Sequence, residues 1–97
     1  MRHEILLALE AIEDLGALDA VQRSVVRKAI ELHLRHEPTK VSKSRIKRLR
    51  GIARPQFRLR IDQIRVFYDV VGGEVHVLAI VRKPDSARWL EQFGEPR

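Results

Sequence analysis

QFRLRIDQIRVFYDVVGGEVHVLAIVRK, residues 56–83, sets arginines at 58, 60, 65 and 82 among residues that are mostly apolar. Gly72-Gly73 reads as a two-residue hairpin turn, because paired glycines supply the positive φ such turns require. Val71 then faces Glu74, Val70 faces Val75, Tyr68 faces Val77, Val66 faces Ala79 and Ile64 faces Val81. Asp62-Gln63 reads as the turn before it. That sets Ile61 against Ile64, Arg60 against Arg65, Leu59 against Val66 and Arg58 against Phe67.

Opposed residues share a sheet face, so the two faces separate. One carries Phe57, Leu59, Ile61, Ile64, Val66, Tyr68, Val70, Val75, Val77, Ala79 and Val81, and is expected to be the core. The other carries Arg58, Arg60, Arg65 and Arg82 around Phe67, Leu78 and Ile80, with Asp69 opposite His76. A one-residue slip in either turn would exchange the faces. Four cations on one face repel one another, and a bound anion relieves that. Arginine suits phosphate because its planar fork donates two parallel hydrogen bonds. A solvated face, with arginine stems lying over apolar rings, is the plainer alternative.

Upstream, PTKVSKSRIKRLRGIARPQF carries Lys40, Lys43, Arg45, Lys47, Arg48, Arg50 and Arg54, with no acidic residue between Glu37 and Asp62. It reads as a basic connection, helical in part around Arg45 to Leu49, that extends the same positive field. Further back, HEILLAL reads as a short strand. Ala8, Ala11, Ile12 and Leu15 then follow helical spacing up to a stop at Gly16. Asp19 with Gln22 reads as a capping-box start for a second helix carrying Val25, Val26, Ala29, Ile30 and Leu32. That helix is expected to end before Pro38, since the residue ahead of a proline is pushed out of the helical region. PDSARWLEQFG closes the chain as a short helix, with Leu90 and Phe93 on one side.

The whole is 97 residues with a net charge of +6 and 44% hydrophobic residues. One α+β domain spanning residues 1–97 is the expectation, of modest stability without a partner. The charge favours a polyanionic partner such as nucleic acid. The absence of cysteine excludes disulfides and thiol catalysis and fits a cytoplasmic protein. The N-terminus, whose apolar stretch is broken by Glu10, Glu13 and Asp14, does not read as a signal peptide, and no run approaches membrane-spanning length. His33 and His36, without a nearby carboxylate or cysteine, make a poor metal site.

The order of strand, two helices, basic connection, three antiparallel strands and short helix resembles the RelE/ParE toxins of bacterial toxin–antitoxin pairs. The matching motifs are RIKRLRG at 45–51, FRLRIDQIRVFYDV at 57–70 and VHVLAIVRK at 75–83, within a likeness running from about Glu4 to Phe93. The chain looks closer to the RelE-like branch. That resemblance implies a ribosome-dependent mRNA endonuclease using no metal or other cofactor, in which the 2′-OH attacks the adjacent phosphate. It implies catalytic roles for Arg58, Arg60 and Arg65 and for Arg82 or Lys83. It also implies an acidic antitoxin, a toxin–antitoxin hetero-oligomer, and the ribosome and mRNA as partners.

Two departures stand out. Arginines hold 58 and 60 where the better-known member has lysines, and arginine is a poor general base. Ala87 stands where the family often has a stacking tyrosine, with Trp89 two residues on as a substitute or as helix packing. For proton transfer the candidates are His76, oriented by Asp69 across the strands, and Lys83, although an ordinary surface pair is the simpler reading of His76 and Asp69. RNA contact is expected from Lys43, Arg45, Lys47, Arg48, Arg50, Arg54 and Trp89. The competing functions are a ParE-like DNA gyrase inhibitor and a non-catalytic nucleic-acid- or ribosome-binding module.

Overall fold

The computed structural model describes residues 2–97. Strand β1 (Glu4–Leu7) leads into helix α1 (Leu9–Ala17) and helix α2 (Ala20–Leu34). Strands β2 (Ile46–Arg48), β3 (Ile52–Arg54), β4 (Phe57–Ile61), β5 (Ile64–Val71) and β6 (Glu74–Arg82) follow. A 3-10 turn at Lys83–Asp85, helix α3 (Ser86–Phe93) and strand β7 (Glu95–Pro96) end the chain. The main sheet has five strands in the order β1-β6-β5-β4-β2, and β3 pairs with β7 in a separate two-stranded ribbon.

The sheet is thus wider than the three strands expected. β1 adds in parallel to β6, with Ile5 beside Val75 and Leu7 beside Val77. β2 adds antiparallel to β4, with Ile46 beside Leu59 and Lys47 beside Arg58. The expected helical turn around Arg45 to Leu49 is therefore a strand. Its apolar Ile46 and Leu49 are buried, and the ladder to β4 satisfies backbone groups that a one-turn helix would leave unpaired.

Asp19 caps α2, its Oδ1 accepting from the Gln22 amide at 2.8 Å. α2 ends at Leu34, ahead of Pro38. Gly16 does not stop α1. The helix runs through it to Ala17, and the Leu18 amide closes the end on Leu15 O. Leu15, Leu18, Val26, Ile30 and Leu34 pack on the sheet face made by Phe57, Leu59, Ile61, Ile64, Val66 and Tyr68. Tyr68 is fully buried and donates to Pro38 O at 2.6 Å, and burial pushes its phenol well above the ordinary tyrosine value.

The β4–β5 register is the one read from the sequence, from Arg58 beside Phe67 through Arg60 beside Arg65 to Ile61 beside Ile64. At the β5–β6 turn only Gly72 takes a positive φ, of 59°. That ladder also matches expectation from Val71–Glu74 to Tyr68–Val77, and then it shifts. Leu78 is the extra residue of a β-bulge, so Phe67 faces Ala79, Val66 faces Ile80, Arg65 faces Val81 and Ile64 faces Arg82. The bulge reverses the expected facing beyond Leu78. Ile80 joins the core at 5% exposure, Ala79 and Val81 turn to the other face, and Arg82 falls in register with core-side Ile64. Asp14 of α1 holds the bulge, its Oδ2 accepting from the Ile80 amide at 2.9 Å.

Candidate nucleic-acid interface

The sheet face away from α1 and α2 carries the arginines. Cross-strand pairing puts Arg60 beside Arg65, and Lys47 beside Arg58, on that one face. Directly opposed Cβ atoms lie about 5 Å apart. Three expected arginines, Arg58, Arg60 and Arg65, therefore converge, and Lys47 joins them from the edge strand. Arg82 does not, because of the bulge. Lys83 begins the turn after β6, its amide donating to Gln63 O at 2.7 Å, with its side chain exposed.

Among the described residues, no carboxylate forms an ion pair with this cluster. Arg65 is 5% exposed, and its Nη1 donates to Asp62 O at 2.8 Å and Ile64 O at 3.0 Å. Those carbonyls orient the fork without cancelling its charge. Arg58 is half-buried, and its Nε is buried without a hydrogen-bond partner. Burial, followed by the charge of Arg60, holds the Arg58 guanidinium below the usual arginine value. Burial, then Arg58 and Arg60, does the same to Arg65. Desolvated like charges with open donors are what a tight phosphate site presents before its ligand arrives.

The other end of the same face is neutralised. Asp69, 5% exposed, accepts from the Gln56 amide at 2.7 Å and from Arg54 Nε at 2.9 Å. Gln56 Oε1 in turn accepts from the Val70 amide at 2.9 Å. Asp69 and His76 are backbone neighbours as expected, but their side chains do not pair. His76 Nε2 lies 2.9 Å from Glu74 Oε1 instead. Neither the candidate Asp69–His76 relay nor a plain surface pair between them forms, because the Gln56 amide and Arg54 engage Asp69 and Glu74 engages His76.

The face is also partly roofed. Trp89 stacks on Phe67 with ring centroids 4.9 Å apart and planes within 3°, and Phe67 is fully buried beneath it. Trp89 is thus α3 packing, with one ring face occupied. Ala87, at the position of the family's stacking residue, is exposed.

The remaining basic residues divide. Arg48 sits over the Phe57 ring at 5.0 Å, on the core side of the edge strand. Arg45 reaches toward α2, where its charge and the burial of His33 lower the His33 pKa, burial contributing more. Lys43 and Arg50 are exposed. His33 lies in a groove with Lys40 and Arg45, and His36 in another with Arg27 and Lys28. Each groove also holds one carboxylate, Glu37 beside His33 and Glu31 beside His36, but no group of three or more histidine, cysteine or acidic side chains among the described residues could hold a metal ion. No helix among the described residues is long and apolar enough to cross a membrane.

No family model matches the chain, and no curated protein matches it. Solved structures do. A chain of the RelBE2 toxin–antitoxin complex from Mycobacterium tuberculosis is 21% identical with a TM-score of 0.67, covering 84% of this chain and 99% of that one. A chain of the archaeal RelE–RelB complex from Pyrococcus horikoshii OT3 is 19% identical with a TM-score of 0.69, covering 86% and 97%. A chain of the RelB–RelE antitoxin–toxin complex from Methanococcus jannaschii is 19% identical with a TM-score of 0.65, covering 87% and 96%. Over nearly its whole length, then, this small α+β domain has the RelE-like fold that its strand motifs pointed to.

Proposed function

We propose that the chain is the toxin of a toxin–antitoxin pair and an mRNA endonuclease that acts on the ribosome. The uncompensated cluster of Arg58, Arg60 and Arg65 carries this reading, and the fold shared with chains of RelE–RelB complexes supports it. In transesterification the 2′-hydroxyl passes its proton to water, the 2′-oxygen bonds to phosphorus, the bond to the 5′-oxygen breaks, and negative charge builds on the phosphoryl oxygens between. The Arg58 and Arg65 guanidinium groups, already partly desolvated, stabilise that charge without reorganising, and the exposed Arg60 adds to the field. Lys47, in register with Arg58 on the same face, supplies a proton to the leaving 5′-oxygen. Lys83 is the other side chain suited to that transfer. With His76 and Asp69 engaged elsewhere, the face binds and polarises phosphate better than it abstracts protons, in keeping with a reaction completed only on the ribosome.

The proposed partner in the inactive state is an acidic antitoxin that neutralises the same cluster. The test is to add the purified chain to a programmed ribosome complex and map mRNA ends by primer extension. Cuts in the A-site codon that disappear with Arg65→Ala support the reading. Intact mRNA, with a known interferase active in parallel, contradicts it.

A further inference from the structure

A second concave surface lies where α1, β6 and α3 meet, in a cleft of about 690 Å³. Its floor is apolar, with Leu78 and Val81 from β6 and Trp89 and Phe93 from α3. Phe93 is 57% exposed, a large aromatic left facing water. Its rim is acidic. Glu10 and Asp14 stand one helical turn apart on α1, and Glu95 stands on β7. Arg54, the cation lining the cleft, is already paired with Asp69. Neither Glu10 nor Glu95 makes an ion pair among the described residues. A chain of net charge +6 thus carries an apolar trough edged by carboxylates.

We propose that this groove docks a protein segment that is both apolar and cationic, a short stretch of leucine or aromatic residues interspersed with lysine or arginine. Charge complementarity selects that occupant. The rim repels phosphates and acidic peptides, which the arginine face attracts, so the two surfaces sort partners of opposite sign. The floor rewards apolar side chains, and the unpaired glutamates reward cations placed beside them. The groove adjoins the arginine face, since Val81 is the cross-strand neighbour of Arg65 and Trp89 stacks on Phe67, but its chemistry stands whether or not that face cuts RNA.

Trp89, the chain's single tryptophan, lines the groove and reports its occupancy. The intact protein is titrated with an acetylated peptide of leucine and lysine, and with the same peptide carrying glutamate for lysine. The lysine peptide gives a saturable Trp89 fluorescence shift, and the glutamate peptide gives none. Glu10→Lys with Glu95→Lys weakens binding about tenfold or more, consistent with loss of close charge pairs. Both side chains are exposed, so the double variant melts close to wild type. Phe93→Ser weakens binding with the rim intact. Absence of a saturable shift, equal binding of the glutamate peptide, or unchanged affinity in the double variant overturns the proposal. A concentration-dependent Trp89 shift of the protein alone also overturns it, assigning the groove to a second copy of the chain.

Discussion

Arg54 and Arg65 lie toward opposite ends of the same arginine-bearing region, yet their environments differ. Arg54 is 2.9 Å from a buried carboxylate. Arg65 is more deeply buried and has only two backbone carbonyls. A buried carboxylate bonded to a backbone amide and to a guanidinium holds strands together. A buried guanidinium without a counter-charge costs stability that a phosphate ligand can return. Burial and net charge alone do not separate these two roles. The presence or absence of the carboxylate does.

The sharpest break in that comparison is Arg65→Met against Arg54→Met. Arg65→Met should lower ribosome-dependent mRNA cleavage by about 100-fold or more, the scale for losing one transition-state donor. Its denaturation midpoint should stay level or rise, because an unpaired buried charge has gone. Arg54→Met should leave cleavage near wild type while lowering the midpoint. Asp69→Ala tests the structural end alone. It strands the Gln56 amide and frees Arg54, and about 2 kcal/mol of stability should be lost in a urea titration.

Pyrophosphate should raise the melting temperature of the wild type. The gain is about 2.7 kcal/mol at a hundredfold excess over its dissociation constant. The double variant Arg58→Met, Arg60→Met should lose that gain, and Asp69→Asn should keep it. The smallest effect concerns His33, remote from the contrast. Burial and Arg45 depress its folded pKa below 6.5, so the unfolded chain takes up the proton first. Stability then rises with pH through that window and is lost as pH falls below the ordinary histidine value. His33→Gln should flatten that slope in melts between pH 5 and 7, a range bracketing the ordinary histidine pKa.

What the sequence discloses follows from where each signal resides. Arg60 and Arg65 each stand two residues from the shared Asp62-Gln63 turn, so local alternation suffices to put them together. The bulge at Leu78 is not local. Apolar Leu78, Ala79, Ile80 and Val81 fit either facing, and the choice is fixed by Asp14, 66 residues before Ile80. Strand β2 is hidden for a related reason. Ile46 and Leu49 stand three apart, which is helical spacing, and the strand shows only in the pairing of Ile46, Lys47 and Arg48 with β4. Asp69 looked like a partner for His76 because register is readable, whereas a side chain's choice among neighbours is not. The Gln56 amide and Arg54 compete for it. Trp89 fits either role in the sequence, and its stacking over the fully buried Phe67 assigns it to packing.

The central claim is that the arginines without carboxylates await a phosphate and the paired one does not. The most direct measurement records arginine Nε–Hε resonances while a short RNA, blocked by 2′-deoxy substitution, is added. The account predicts saturable shifts at Arg58 and Arg65, weakening with salt as phosphate contacts do, while Arg54 stays in place. Movement of Arg54 with Arg58 and Arg65 unmoved would contradict it.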